Sequence, residues 1–407
     1  MPTIDPARLM GDLNHLRSIG AYKTGVHRPT FSAHDMEARR WLLRRMEEAG
    51  LSARIDGIGT VYGRREAAGP KMLTGSHLES QNHAGWLDGA LGVIYGLEAA
   101  RAIAEDPAFA DCAVDVVALA DEEGHFGSFL GSKSFIGVLE EAEIDTAANR
   151  YDGRSLRSAL ADVGLAGEPR IVCEKGRYKG FIEAHIEQGD TLIGSGAKIG
   201  VVTAIVAIWQ YRLVFEGEQN HAGTTSMKRR RDAGLSAVRA LARIDERFPL
   251  ICGERTVWTA GRIALEPGAA SVIPGRAEAL FQFRDADEAT LERLDAELRA
   301  IVAEIDMQGP CRASVEVMAQ SRPALMDEGL QAAIEQAAEI HAPGKSLRMP
   351  SGAGHDAQYL ARIMPAAMLF APSIGGISHH WTEDTAEEDI VLGAQVYAEA
   401  VAQALRG

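Results

Sequence analysis

A chain of 407 residues is too long for one ordinary core, so two domains are expected, and an apolar fraction of 46% directs both toward compact folding. A formal charge of −15 excludes a surface built to meet phosphates, whether in nucleic acid or in an anionic membrane, because either needs an excess of Lys and Arg. Cys112, Cys173, Cys252 and Cys311 are scattered without a CxxC spacing and read as free thiols of a reducing compartment. No basic start followed by an apolar run opens the sequence, and no segment approaches the ~18 apolar residues of a membrane span, so a cytoplasmic protein is expected.

In chain order, "DMEARRWLLRRMEEA" (35–49) sets Met36, Trp41, Leu42, Leu43 and Met46 among charges and stops at Gly50, an amphipathic helix with a glycine end. "KMLTGSH" is a short apolar run ending at His77. The polar stretch "GSHLESQNHAGWLDG" (75–89) then holds two carboxylates, Glu79 and Asp88, and Asp88 opens the helical run "GALGVIYGLEAARAI". "AVDVVALA" (113–120) is nearly continuous in apolar residues, as a strand buried on both faces should be, and leads to Asp121, Glu122 and Glu123. "FIEAHIEQG" leads likewise to His185, Glu187 and Gln188.

From 206 the pattern changes. "VAIWQYRLVFEG", "RTVWTAGRIAL", "GRAEALFQFR" and "ASVEVMAQ" read as strands, with helices at "AGLSAVRALARIDERF" and "EATLERLDAELRAIVAEI". The order βαββαβ predicts a ferredoxin-like domain over 206–318, inserted into a larger α/β domain of 1–205 and 319–407. The basic run Lys228 to Arg231 reads as a solvated helix start. The larger domain resumes, and "AAMLFAPSIGGISHH" runs through glycines to His379 and His380.

Polar clusters thus follow four separate apolar runs. In open α/β sheets ligands sit beyond the carboxyl ends of the strands, so these side chains would meet in one crevice. Singly, a buried His is most often a satisfied core residue, and an acidic pair such as Glu122 and Glu123 is usually solvated. Together they have no common packing reason to converge, and carboxylates sharing a buried site are costly unless a cation neutralises them. His with Asp or Glu and no Cys suits Zn²⁺, Mn²⁺, Co²⁺ or Ni²⁺, and five such ligands with a spare acid suggest two ions.

The motifs "GSHLES", "WLDGALGV", "ADEEGHFG", "EAHIEQG", "HAGTT", "VIPG", "FRDAD", "SGAGHDA" and "GISHHWTE", in this order, resemble the amidase, hydantoinase and carbamoylase branch of the M20 metallopeptidase family. That branch includes N-carbamoyl-L-amino acid hydrolases, β-ureidopropionases and allantoate amidohydrolases. The resemblance implies a metal-dependent exopeptidase-like catalytic domain with an inserted lid and dimerisation domain, working as a homodimer on a small amide or ureido acid. It implies that Asp88 bridges two divalent ions, that His77 and His185 complete one site, and that Glu123 and His379 complete the other. Glu122 would be the general base, and His221 would reach the substrate carbonyl from the neighbouring subunit. Gln188, Arg284, His355 and the residue before "VIPG", here Ser271, would contact substrate. Where the family commonly has His-Leu-Asp this chain has Glu79, expected to orient His77 through a longer arm. Ser271 stands in place of the usual asparagine, and both departures bear on substrate choice more than on reaction class. The competing readings are a dipeptidase or aminoacylase of the wider family and a metal-free binding protein on the same fold.

Overall fold

The computed structural model describes residues 1–407, which divide into two units, Met1–Thr203 with Leu325–Gly407, and Ala204–Ala324. The first is built on a nine-stranded mixed sheet. Its centre holds, in spatial order, Ala366–Ala371, Phe181–Ile186, Lys71–His77 and Ala113–Leu119, all parallel. Val61–Arg64 and Ser52–Ile55 extend one side antiparallel.

The apolar runs form these strands because both faces are covered: every residue of Ala113–Leu119, Phe181–Ile186 and Ala366–Ala371 is buried. Alternate residues, such as Val114, Val116 and Ala118, join a core with helices Ala90–Glu105 and Glu387–Arg406. Helix Ala33–Glu48 begins at Ser32, whose hydroxyl accepts the Asp35 N–H, and it buries Met36, Trp41, Leu42 and Met46 as its periodicity predicts. Register then sets the site. Thr74 pairs with Ile182, so His77 and His185, each three residues further on, leave the sheet at one level with ring centroids 5.8 Å apart.

The second unit runs strand, helix, strand, strand, helix, strand, with two short strands between. Its four-stranded antiparallel sheet has the order Val257–Glu266, Arg276–Asp285, Ala207–Glu216, Arg312–Gln320. Along Arg276–Asp285, Ala277, Ala279, Phe281 and Phe283 are buried and pack with Leu291, Leu294 and Leu298 of helix Glu288–Gln308. The predicted boundary at 318 cuts a strand that continues to Gln320. The strand read at "ASVEVMAQ" does end at Gln320, with a register shift between Val317 and Ala319 in its pairing with Ala207–Glu216. The basic run is also not a helix start. Met227–Arg229 forms a single 3₁₀ turn, and the helix begins at Ala233 behind an Asp232 cap.

Candidate active site

Asp88 is the centre of the arrangement. Its Oδ1 lies 3.1 Å from His185 Nε2 and 3.5 Å from His77 Nε2, while its Oδ2 lies 3.4 Å from His379 Nε2. Glu123 Oε2 stands 3.8 Å from the same His379 nitrogen. Two groups result, His77, Asp88 and His185, and Asp88, Glu123 and His379, each with ligand atoms within 4.8 Å of one another. A tetrahedral ion with bonds of ~2.1 Å sets neighbouring ligand atoms about 3.4 Å apart, so the separations around Asp88 suit cation binding. The outer nitrogens of both strand histidines are held by carbonyls: His77 Nδ1 lies 3.1 Å from Glu79 O, and His185 Nδ1 lies 2.9 Å from Ile186 O. Each ring thus turns Nε2 inward.

Glycine lets helix Ala90–Glu105 start against these rings. Gly89 has φ of 64°, and a Cβ there would fall 2.3 Å from His77 Cε1. Asp121, Gln188 and His379 also take left-handed φ values of 58°, 59° and 54°. For non-glycine residues this costs roughly 1–3 kcal/mol each, and it is stabilised only where the surroundings over-determine it. At Asp121 the carboxylate does so by accepting the backbone N–H groups of His125, Phe126 and Gly127.

The electrostatics describe a buried excess of acid. Burial and then Asp88 push Glu123 up to about 8. Burial raises Glu122 well above the carboxylate range, with Glu123, Asp356 and Asp88 adding to it and His77 opposing. Burial opposes charge on Asp88, yet His185 and His77 hold it well below its ordinary value. Burial likewise opposes charge on His77, but Glu122, Asp88 and Glu79 raise it well above the imidazole range. Protons therefore accumulate on this cluster, and divalent cations are the natural replacement for them.

Glu122 Oε2 sits 3.7 Å from His77 Nε2, beside the first group and outside the second. Glu79 does not orient His77 through its carboxylate, contrary to the sequence reading, because its own main-chain carbonyl takes that contact. The carboxylate accepts the Glu122 N–H at 2.7 Å and the Arg39 guanidinium at 2.6 Å. Gln188 donates its amide to Asp88 Oδ2 and to Ser378 Oγ, both at 3.1 Å. His355 is buried, 2.8 Å from Ser351 Oγ through Nε2, with its ring edge-on to His185 at 4.5 Å.

In the second unit His221 pairs with Val272, next to Ser271, whose carbonyl accepts the Ala222 N–H. The backbone N–H groups of Gly223 and Thr224 point at His221 Nδ1, at 3.0 and 3.2 Å, so the ring proton resides on Nε2. Arg284 stands on Arg276–Asp285 opposite Ile208 and Val257.

Sequence reasoning missed four residues. Arg39 bridges Asp35 and Glu79. Arg230 holds the carbonyls of Ala222 and Thr225 in the His221 loop. Ser378 and Glu383 lie under Asp88, where Glu383 accepts the Asp88 N–H at 3.2 Å and the Ser378 hydroxyl at 2.9 Å. Arg39 had a signal, its spacing of four from Asp35 on one helix. Ser378 and Glu383 had none beyond the motif "GISHHWTE" that contains them, and Arg230 none beyond its basic run.

Fold and site together define a class, an α/β protein that brings together beyond its parallel strands two groups of His and carboxylate side chains sharing one aspartate. The chain belongs to the peptidase family M20/M25/M40, whose model matches residues 73–403. It is 32% identical over 396 residues to an N-carbamoyl-L-amino-acid amidohydrolase of Paenarthrobacter aurescens, covering 96% of this chain and 95% of that protein. It is 34% identical over 376 residues to the allantoate amidohydrolase of Bacillus subtilis, covering 91% and 90%. Among solved structures it is similar to an amidase of the hydantoinase/carbamoylase family from Burkholderia phymatum. There the identity is 49% and the TM-score 0.93, over 100% of this chain and 99% of that one.

Proposed function

We propose that this protein is a metal-dependent amidohydrolase that cleaves the non-peptide C–N bond of an N-carbamoyl- or N-acyl-amino acid or a related ureido acid. The observation that carries the reading is the division of Asp88, with one oxygen toward His77 and His185 and the other toward His379. The names of the relatives agree with it.

His77, His185 and Asp88 would hold one divalent ion, and Asp88, Glu123 and His379 a second, with Zn²⁺, Mn²⁺, Co²⁺ and Ni²⁺ all suited to these donors. Such ions, when bound, polarise a carbonyl and lower the pKa of water. Glu122 supplies the proton traffic. As the carboxylate it accepts a proton from the attacking water while the carbon–oxygen bond forms, and it returns that proton to the nitrogen as the carbon–nitrogen bond breaks. Its position, with Oε2 3.7 Å from His77 Nε2, sets it beside the ion that the His77, Asp88 and His185 group would hold.

Arg284 is proposed to bind the substrate carboxylate in two-point fashion, with Gln188, Ser271 and His355 as further substrate contacts. His221 is proposed to donate Nε2–H to the substrate carbonyl from the neighbouring subunit of a cytoplasmic homodimer. The element order of the second unit, and its sheet with the first strand between the third and the fourth, support a ferredoxin-like lid and dimerisation domain.

Ammonia release should be measured from a panel of N-carbamoyl, N-acetyl, N-formyl and ureido acids, with dipeptides as a control. Turnover confined to one of the non-peptide classes is expected. Cleavage of dipeptides alone by metal-replete protein would replace this reading with a dipeptidase.

A further inference from the structure

Gln81 lies in the stretch that carries His77 and Asp88, and neither the metal ligands nor the base account for it. Its backbone N–H donates to Glu123 Oε1 at 3.0 Å, and its side-chain Nε2 donates to Glu123 Oε2 at 2.8 Å and to Glu123 O at 3.0 Å. One residue therefore grips both carboxylate oxygens and the main chain of Glu123. Each oxygen has two acceptor positions, so each keeps one for an ion.

The carboxamide is itself held from outside. Gln81 Oε1 accepts from Arg150 Nη2 at 2.8 Å and from the Tyr151 hydroxyl at 3.3 Å. Arg150 is anchored by its own N–H to the His125 carbonyl at 2.9 Å. These partners settle which end of the amide is which. Reversal would turn the NH₂ toward a guanidinium and the oxygen toward a carboxylate, both repulsive.

We infer that Gln81 is the positioning residue of the Asp88, Glu123 and His379 group, fixing Glu123 for the second ion while leaving the His77, Asp88 and His185 group alone. The inference rests on the two-ion reading proposed above. Its physical basis is that a ligand with a fixed carboxylate loses little freedom when it binds, whereas a loose one must be ordered first. None of the hydrogen bonds made by Gln81 reaches His77, Asp88 or His185, so the effect is selective.

Equilibrium dialysis with Mn²⁺, and separately with Zn²⁺, on chelator-treated protein tests this with wild type, Gln81→Glu, Gln81→Ala and Arg150→Ala. Gln81→Glu keeps size and shape but replaces the donors with a charge facing Glu123. Wild type should bind two ions per chain. Both Gln81 variants should keep one ion at wild-type affinity and bind the other about tenfold more weakly or worse, with a smaller loss for Arg150→Ala. Wild-type affinity for both ions in folded Gln81 variants overturns the inference, as does equal weakening of both, which marks a general packing role. Far-UV circular dichroism checks folding. If neither Gln81 variant folds, Arg150→Ala at an exposed side chain decides: unchanged binding of the second ion overturns the inference. Wild type that binds no second ion fails differently, removing the two-ion reading and the inference with it.

Discussion

Glu79 Oε1 accepts the backbone N–H of Glu122 at 2.7 Å, so the carboxylate two residues beyond the proposed metal ligand His77 tethers the main chain of the candidate base. Its other oxygen takes the buried Arg39 guanidinium, which also binds Asp35. The longer arm of Glu79, relative to the aspartate usual in the family, spans from its own strand end to both partners at once. Glu79→Asp should lose one of the two contacts. We expect kcat to fall by about tenfold or more with metal content retained, since partners of this kind typically contribute 10–100-fold. Steady-state kinetics alongside metal analysis checks it, and wild-type kcat in the variant would show that the tether is dispensable.

Glu122→Gln preserves size and most hydrogen bonding but cannot take a proton. Turnover should drop by roughly 10²–10⁴-fold, the usual contribution of a positioned acid or base, while metal content persists. The geometry motivates the distinction: Glu122 is 3.7 Å from His77 Nε2, whereas Glu123 is the acid facing His379. Loss of an ion in Glu122→Gln, with turnover restored by excess metal, would exchange the roles of the two acids.

Asp356 should impose a pH dependence on stability. Its side chain is fully buried, with Oδ1 accepting the Ser132 hydroxyl and Oδ2 lacking any protein partner. Burial and then Glu183 push its pKa to about 8. The unfolded chain releases this proton near the ordinary aspartate value of ~3.9. Between those values the folded state binds more protons, so the stabilising contribution is complete at acid pH and is lost as pH rises through about 8. Asp356→Asn stays neutral and should flatten that slope. Thermal denaturation of chelator-treated wild type and variant from pH 5 to 9 measures it, and parallel slopes would contradict the assignment.

The strand ends that position the site were readable because a strand buried on both faces must be a continuous apolar run, and His77, Asp121 and His185 fall where three such runs stop. Parallel pairing then aligns those ends without further information. What the sequence concealed travels by single hydrogen bonds between distant loops. Arg39 reaches Glu79 from helix Ala33–Glu48, Glu383 supports Asp88 from near the chain's end, and Gln188 spends its amide on Asp88. Such contacts carry no periodicity. The same limit explains Glu79, since nothing in "GSHLES" tells that its main-chain carbonyl, and not its carboxylate, meets His77.

The proposal that His221 serves a neighbouring subunit can be tested by complementation. His221 Nδ1 is occupied by two backbone N–H groups, which leaves Nε2–H as the only donor the ring can offer a carbonyl. His221→Ala should therefore remove transition-state stabilisation without touching the proposed metal ligands, all of which belong to the other unit. Losing one such donor costs about 10²–10³-fold in kcat. Chains carrying His221→Ala and chains carrying Glu122→Gln should each be nearly inactive alone. In a mixed dimer one of the two sites would combine an intact base with an intact partner histidine, so activity should recover to as much as half that of wild type. Verified mixed dimers that stay inactive would assign His221 to its own subunit or remove it from catalysis, and unaltered metal content in both variants is needed to read the result either way.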